Sequence, residues 1–398
     1  MGFLPHIPRA IMDWRYYFCD MWSIKKITHG TEQNQYHWHS YYDLPVFNAA
    51  SQLVVAQRVN FANRRPVPED KIEIGIIDVR QMDSWEKIGE SRAWSWQQGA
   101  MAQWVANTNT IIWNDRVDNQ FIARRHNIVT GQQTIIPYPI YAVTADGSVG
   151  LSLNFSRLNG MRPGYGYAGI SDASALQRRP ADDGIWRVDL STGVAKLIAS
   201  IADLYTTIPL WQRLPLAAHR YFYWVNHLKF SPDGTRFTVK YRFRVLNRSW
   251  REQQSFSLTG ENTTGRCQYL VDAASHVLWK NSSQLYLWRK DGFYLYQDGG
   301  RRLQPIAPLE VKTNSHLQYV PGSPNQFIYD QPYQKEIPLY QYDETTSHRE
   351  LIARFKNHQP AKGEFRCDLH PTFSSDGRRI IISSLQDGGR QLYILERE

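Results

Sequence analysis

Cysteine and long apolar runs are scarce in this sequence. Its three cysteines, Cys19, Cys267 and Cys367, are too few and too scattered for a disulfide framework. No stretch approaches the roughly 18 apolar residues of a membrane span, and the first residues contain no signal-peptide core or cleavage site. We therefore expect a cytoplasmic protein without a membrane partner, or a periplasmic or secreted one if the N-terminus is incomplete.

Nucleic-acid-binding signatures are also missing, although the chain is basic. The formal net charge of +9 attracts polyanions of any kind. The sequence has no dense Lys/Arg helix, zinc finger or RNA-binding signature, and most of its basic residues are arginines scattered through turns and loops. Because the arginine fork matches carboxylates and sulfates bidentately, we expect an acidic poly- or oligosaccharide as the partner, and no nucleic acid.

A short pattern returns four times in the second half of the chain. Each copy places a histidine three residues before an aromatic residue, and a turn sequence such as Ser-Pro-Asp-Gly at 231–234 follows, then a β-rich run. The four histidines are His227, His276, His316 and His370. Copies spaced by about 40 to 54 residues, with strands and no helices, are typical of propeller blades.

The sequence therefore predicts one all-β domain over residues 1–398, a seven-bladed β-propeller that is a monomer or a weak homo-oligomer. After an irregular segment, 1–22, a strand at 23–28 pairs with the final strand and so closes the ring by completing the last blade. Two insertions, at about 156–184 and 202–222, interrupt the layout, and the second contains a short helix. The blades are expected to start near residues 40, 100, 141, 227, 276, 316 and 370.

The repeated histidines are candidate metal ligands. If each one begins the innermost strand of its blade, all four converge at one mouth of the central channel. Imidazole is the commonest metal ligand, and neutral rings around one axis suit Zn²⁺ or Mn²⁺. A single histidine at the start of a strand is more often a polar residue with its hydrogen bonds made within the protein. Four histidines at one repeat position favour a shared metal or catalytic cluster. We therefore predict a divalent metal, zinc or manganese, held by His227, His276, His316 and His370.

The segment 154–167 has the composition of a site that cleaves uronic acid polymers. It contains two arginines, two tyrosines and three glycines. In β-elimination an arginine neutralises the carboxylate and so acidifies the C5 proton, a tyrosine or histidine removes that proton, and another group protonates the leaving oxygen. A glycine-rich surface loop explains the same composition equally well.

A His-x-His pair, His37 and His39, forms a third candidate group. On a strand both imidazoles lie on one face, where they suit a metal or a proton transfer, and the sequence leaves open which one faces the channel. Arg64, Trp96 and Gln97 offer donors for sugar hydroxyls or carboxylates. Core packing explains the tryptophan just as easily.

Six short motifs resemble those of seven-bladed propeller polysaccharide lyases. The resemblance runs from about residue 36 to the end of the chain and is to ulvan lyases and, more distantly, to oligogalacturonate lyases. Where the ulvan enzymes have a glycine before the Tyr-Tyr-Asp motif, this chain has Ser40. The motifs lie at 41–43, 94–99, 139–143, 162–167, 226–228 and 366–371.

The resemblance implies β-elimination on an acidic glycan and a metal held largely by histidines, which is structural zinc in ulvan lyases and manganese in oligogalacturonate lyases. Tyr141 and Arg157, sixteen residues apart, match the proton-transfer and carboxylate-neutralising pair, and His39 is the second proton-transfer candidate. A non-catalytic propeller that binds acidic glycan or a protein partner in capsule or exopolysaccharide metabolism is the alternative. Substrate contacts are predicted at Arg64, Trp96, Gln97, Arg162, Tyr165, Asn226 and Arg366.

Overall fold

The computed structural model describes residues 22–217, 220–360 and 362–398. These residues form seven antiparallel four-stranded sheets arranged in a ring, which confirms the predicted all-β, seven-bladed propeller. Apart from Trp22, the predicted irregular segment 1–22 lies outside the described residues. No helix among the described residues is long and apolar enough to cross a membrane.

The first three blades follow in chain order, each from its innermost to its outermost strand. Blade one holds β2 (Tyr36–Trp38), β3 (Leu53–Val59), β4 (Ile72–Asp78) and β5 (Glu86–Ser91). Blade two holds β6 (Gln103–Trp104), β7 (Thr110–Val117), β8 (Gln120–Asn127) and β9 (Gln133–Ile136). Blade three holds β10 (Ala142–Val143), β11 (Val149–Ser152), β12 (Gly184–Asp189) and β13 (Ala195–Ser200).

The remaining blades contain the histidine repeats. Blade four holds β14 (Tyr221–Phe230), β15 (Arg236–Val245), β16 (Gln254–Glu261) and β17 (Cys267–Asp272). Blade five holds β18 (Ser275–Trp279), β19 (Gln284–Arg289), β20 (Gly292–Gln297) and β21 (Arg302–Ile306). Blade six holds β22 (Leu317–Tyr319), β23 (Gln326–Asp330), β24 (Ile337–Asp343) and β25 (His348–Phe355). Blade seven holds β26 (Thr372–Phe373), β27 (Arg379–Ser384), β28 (Gln391–Arg397) and β1 (Trp22–Lys26).

The predicted ring closure is confirmed. β1 pairs antiparallel with β28, with Trp22 opposite Arg397, so the beginning and end of the described chain share one sheet. The strand ends two residues earlier than predicted. At Thr28 a side chain, not the backbone, bonds the neighbouring strand. Its Oγ1 accepts the Leu392 N–H at 2.9 Å and donates to Gln391 Oε1 at 2.7 Å.

The repeated turns have a local chemical cause. In the turn at 231–234 the Asp233 carboxylate accepts a hydrogen bond from the Ser231 hydroxyl at 2.6 Å. Gly234 follows with a φ of 71°, a conformation that glycine adopts at little cost. Ser374 and Asp376 form the same 2.6 Å bond in blade seven. These turns connect the innermost strand to a second strand that is buried between neighbouring blades.

Two parts of the chain depart from the predicted layout. β14 begins at Tyr221, six residues before His227, because all of it up to Asn226 pairs with β15. Blade one begins at Tyr36, and residues 39–46 then leave the sheet. The observed innermost strands begin at residues 36, 103, 142, 221, 275, 317 and 372.

Short helices occupy the two predicted insertions. α1 (Phe155–Met161) begins at the cap residue Asn154, whose side chain accepts the Arg157 N–H. α2 (Ile201–Thr207) is the predicted short helix, and it begins with a capping box between Ser200 and Asp203. α3 (Leu210–Ala217) follows it. The segment after α1 contains Arg162 and Tyr165, which line a cavity together with residues of β14 and β15.

Candidate functional site

The innermost strands place their histidines by means of backbone bulges. His227, His276 and His370 have φ values of 51°, 47° and 48°, in the left-handed region that non-glycine residues seldom adopt. The pairing of β14 with β15, and of β18 with β19, shifts register at the histidine. A bulge of this kind redirects a side chain and is common beside functional sites.

His316, Asp368 and His370 form a candidate metal centre. One ligand atom from each of the three lies within 4.8 Å of the others, and all three side chains are buried. The Nε2 atoms of His316 and His370 lie 4.0 and 3.8 Å from Asp368 Oδ2, and neither nitrogen has a hydrogen-bond partner among the described residues. Two unpartnered imidazole nitrogens facing one carboxylate are a donor set that fits Zn²⁺ or Mn²⁺.

The residues around this candidate centre orient its histidines. Asp330 accepts from His316 Nδ1 at 2.9 Å and from its backbone N–H at 2.8 Å, which leaves Nε2 as the free lone pair. The ring of His276 lies 4.5 Å from that of His316, and its Nδ1 is buried and unpartnered. Three of the four predicted histidines are therefore together.

His227 belongs to a different group. Its Nδ1 lies 3.3 Å from the Tyr141 hydroxyl, and its Nε2 lies 3.4 Å from a guanidinium nitrogen of Arg162. A hydrogen on Nδ1 satisfies both contacts, because the guanidinium has only donors. Tyr41 lies between the two groups, with its ring 5.6 Å from His227 and 4.5 Å from His370. The structure thus places His227, one of the four predicted ligands, outside the candidate metal centre.

Asp368 completes the candidate centre instead, and the sequence analysis does not predict this residue. It stands two positions before His370, a spacing that places two side chains on the same face of an extended chain. The Asp-x-His pattern within 366–371 is therefore the sequence feature that could have identified Asp368 as a candidate ligand.

His39 lies beside the metal centre on the blade-one side. Its ring is 6.4 Å from that of His370, and both of its nitrogens are buried. Burial lowers the pKa of His39 to about 4, so the ring is neutral at pH 7. His37 instead faces Gln391 Oε1 at 3.1 Å and the ring of Trp85. Of the two histidines, His39 is the one directed toward the centre.

A small cationic cavity opens beside these groups. Space for the centres of water-sized molecules amounts to about 50 Å³. Two of its cations have carboxylate partners, since Lys229 pairs with Asp43 and Arg366 Nε donates to Asp368 Oδ2 at 2.8 Å. Five cationic side chains line the cavity: Arg162, Lys229, Lys240, Arg242 and Arg366.

Two tyrosines in this cavity have pKa values shifted in opposite directions. The Tyr165 hydroxyl accepts from Arg366 Nη2 at 3.0 Å, and the Arg162 guanidinium lies 3.8 Å from the centre of its ring. Burial raises the pKa of Tyr165, but Arg162 and Arg366 together outweigh it, so the pKa lies below its ordinary value. Burial, and then the charge of Tyr165, raises the pKa of Tyr41 well above its ordinary value.

Tyr141 stands behind His227 and does not line the cavity. Its hydroxyl accepts from Gln98 Nε2 at 2.6 Å and donates to Asn226 Oδ1 at 3.1 Å. Asn226 Oδ1 also accepts the His227 N–H at 2.7 Å. Burial raises the pKa of Tyr141 above its ordinary value. Tyr141 and Asn226 therefore hold the bulged backbone and the ring of His227.

Arg157 faces away from this cavity. Its guanidinium donates to the carbonyls of Tyr223, Ser174 and Gln177, each at 2.8 Å. It also forms a 3.0 Å ion pair with Asp172. Four of its five N–H donors are used within the protein, and the side chain is buried. The Arg157 side chain therefore anchors the segment after α1 to blade four.

The other predicted substrate residues lie outside the cavity. Arg64 is half exposed and forms a two-bond ion pair with Asp70. Trp96 is buried, and its Nε1 donates to the Arg64 carbonyl at 2.7 Å. Gln97 Nε2 donates to the carbonyls of Glu364 and Arg366, both at 2.9 Å, and so fixes the segment that carries Arg366.

Comparison with known proteins identifies the fold. No family model and no curated protein sequence matches the chain. An oligogalacturonate lyase solved in complex with manganese is similar over 94% of this chain and 93% of its own, with a TM-score of 0.61 and 12% identity. The oligogalacturonate lyase of Vibrio parahaemolyticus covers the same shares, with a TM-score of 0.58 and 11% identity.

The tricorn protease is similar over 94% of this chain and 34% of its own, with a TM-score of 0.52 and 10% identity. At such identities likeness shows the fold alone, and the resemblance to ulvan lyases remains a prediction from the sequence motifs. The chain therefore shares the propeller fold found in oligogalacturonate lyases.

Proposed function

We propose that this protein cleaves uronate-containing glycans by β-elimination. The observation that carries the proposal is the cationic cavity in which Tyr165 and Tyr41 have pKa values shifted apart. Two titratable groups whose surroundings separate their pKa values are the usual sign of a base and an acid. The cations supply the attraction for a carboxylate that this reaction requires.

Each reacting atom has a candidate partner among the residues of the cavity. Arg162 binds the uronate carboxylate and so acidifies the C5–H bond. The Tyr165 phenolate takes the C5 proton, the electron pair forms the C4–C5 double bond, and the C4–O bond breaks. Tyr41 gives its proton to the leaving oxygen. The proton gained by Tyr165 then returns to Tyr41, which restores both groups.

In this proposal the residues predicted to be catalytic from the sequence do not transfer the protons or bind the carboxylate. Tyr141 positions His227, whose imidazole stacks on Tyr41 and contacts Arg162. The carboxylate-neutralising role passes from Arg157 to Arg162, because Arg157 has four of its donors bound within the protein. His39 remains beside the metal centre and away from the tyrosine pair.

His316, Asp368 and His370, with His276 beside them, would hold a divalent metal. When bound, a zinc or manganese ion supplies a Lewis acid that attracts a carboxylate oxygen. Arg366 connects the candidate metal centre to the cavity, since it contacts both Asp368 and Tyr165.

The experiment is a product assay on a panel of ulvan, pectic and glycosaminoglycan oligosaccharides. Elimination creates a double bond conjugated to the carboxylate, and this product absorbs in the ultraviolet. We expect such absorbance with at least one member of the panel. No absorbance with any member, using metal-loaded protein, would contradict the proposal.

Binding of an acidic glycan without cleavage is the second candidate function. The size of the cavity favours it, because about 50 Å³ admits a carboxylate but not a whole sugar ring. The variant Tyr165→Phe, which keeps the ring against Arg162, distinguishes the two functions. A lyase loses turnover in this variant, whereas a binding protein retains its affinity for the glycan.

A further inference from the structure

The cavity extends into an unusual polar pocket between blades four and five. Thr238, Lys240 and Arg242 alternate along β15 and line it together, as residues on one face of a strand do. Ser257 of β16, which pairs with Lys240, completes this face. Residues 275–277 of β18 form the opposite wall. We call the group of Thr238, Lys240, Arg242 and Ser257 the interblade pocket.

The interblade pocket contains donors that have no partner. The Thr238 and Ser257 hydroxyls and Arg242 Nε are buried and make no hydrogen bond with any described residue. All four side chains belong to residues that are more than nine-tenths buried. Buried polar groups are nearly always paired, and an unpaired one costs about 1–3 kcal/mol. Three such donors in one place therefore point to a missing acceptor.

Neither cation of the interblade pocket has a carboxylate partner among the described residues. Lys240 Nζ donates to the Ala274 carbonyl, and Arg242 donates to Gln253 Oε1 at 3.0 Å, so both partners are neutral. The charges that act on Lys240 are those of Arg242, Arg162 and Lys229, all of them positive. Burial and these cations lower the pKa of Lys240 well below its ordinary value.

We propose that the interblade pocket binds an anionic group with several acceptor oxygens, a sulfate or a carboxylate. Two hydroxyls and two cations converge on one small space, which matches such a group in both charge and hydrogen-bonding capacity. A cavity of about 50 Å³ has room for a few water molecules, or for one anion of this size in their place. The anion is either a free oxyanion or a substituent of a glycan.

This site lies in the same cavity as the proposed chemistry but is formed by different residues. It uses neither Tyr165 nor Tyr41, and binding at it requires no turnover. A protein without lyase activity could therefore still bind the anion, and a lyase could lack the site. Anion binding without turnover, or turnover without anion binding in this pocket, therefore distinguishes the failure of one proposal from the failure of the other.

Thermal unfolding in sodium sulfate and in sodium chloride at equal ionic strength tests the site. We expect sulfate to raise the Tm of the wild-type protein saturably, because a ligand that binds only the folded state stabilises it. In Lys240→Met the saturable rise disappears, while the ligand-free variant is at least as stable as the wild type, because a buried unpaired charge has been removed. If Lys240 served only to fill space, Lys240→Met would be less stable than the wild type.

Two further variants complete the design. Thr238→Val keeps the shape and removes one donor, so it should shift the sulfate response to higher concentration without abolishing it. Arg64→Ala removes an exposed arginine outside the cavity and should leave the response unchanged. Equal rises in the wild type and Lys240→Met would mean that sulfate acts only through the solvent, and would overturn the proposal.

Glucuronic acid and glucose distinguish the two sources of the anion. A Tm rise with glucuronic acid that is lost in Lys240→Met assigns the site to a glycan carboxylate. A rise with sulfate alone assigns it to a free oxyanion or a sulfate ester. Glucose serves as the uncharged control. No rise with either anion would overturn the proposal.

Discussion

Arg366 joins Tyr165 to Asp368. One guanidinium nitrogen donates to the Tyr165 hydroxyl at 3.0 Å, and Nε donates to the Asp368 carboxylate at 2.8 Å. This side chain therefore connects the cavity, where we place proton abstraction, to the candidate metal centre. Its charge is fixed, since the carboxylate and the phenol raise its pKa above the ordinary value despite burial.

Replacement of Tyr165 by phenylalanine should remove turnover. Loss of a general base typically costs about 10²–10⁴-fold in rate, and we expect a decrease of that size in kcat, because the ring and its contact with Arg162 remain. Tyr333→Phe is the matched control, since Tyr333 lines the same cavity without a role in the proposed reaction. Equal losses in both variants would assign the effect to packing.

The ionisation of Tyr165 should depend on Arg366. Removing a cation that stabilises the phenolate raises the pKa, so Arg366→Met should move the tyrosinate transition to higher pH. The ultraviolet difference between each protein and its Tyr165→Phe counterpart measures this transition directly. Arg64→Ala should leave it in place, and an unchanged midpoint in Arg366→Met would contradict the proposed electrostatic role.

Metal binding should require His316, Asp368 and His370 but not His227. We expect His316→Ala, Asp368→Asn and His370→Ala to lose most of the bound metal, and His227→Ala to keep it, because His227 contacts Tyr141 and Arg162 instead. The exposed His348→Ala is the control. Elemental analysis after incubation with zinc or manganese measures the occupancy, and retention of metal in His316→Ala would refute the assignment.

The pH dependence of metal binding follows from burial. Burial lowers the pKa of His370 and of His276 well below the ordinary value, so both rings stay neutral and able to bind metal as the pH falls through 6.5. Occupancy should therefore persist into mildly acidic solution. Release of the metal already near pH 6.5 would show that these rings titrate like exposed histidines.

Asp183 should lower the stability of the protein at neutral pH. Burial raises its pKa to about 6, so the folded state favours the protonated carboxyl. The stabilisation from that proton is complete below the unfolded pKa of 3.8 and is lost as the pH rises toward 6. Asp183→Asn still accepts from Asn154 and should raise the free energy of unfolding at pH 7, by at most about 3 kcal/mol.

Urea unfolding of wild-type protein and Asp183→Asn at pH 7 and pH 4 measures this difference. The gain should shrink at pH 4, where the wild-type carboxyl is protonated. An equal gain at both pH values would show that the charge of Asp183 is not its cause.

The fold could be predicted from the sequence because its signals are local. The Ser-x-Asp-Gly turns are complete within four residues, as the bonds of Ser231 and Ser374 show. The histidine repeat then counts the blades of the second half, and the closing strand follows from the need to cover an edge.

The site could be predicted only in part, because side-chain partners come from distant segments. The sixteen-residue spacing of Tyr141 and Arg157 says nothing about the carbonyl of Tyr223, which binds the guanidinium. The repeat likewise cannot show that Tyr41, from a segment of blade one, separates His227 from His370. Opposite pKa shifts of two tyrosines depend on burial and on neighbouring cations, which no sequence motif contains.

Mass spectrometry of the products tests β-elimination most directly. The assay uses metal-loaded protein and the uronate oligosaccharide that gives ultraviolet absorbance. We predict a new non-reducing end that is unsaturated, one water lighter than the product of hydrolysis, and absent from a Tyr165→Phe reaction run in parallel. A saturated end, or an unsaturated end formed equally by Tyr165→Phe, would contradict the account.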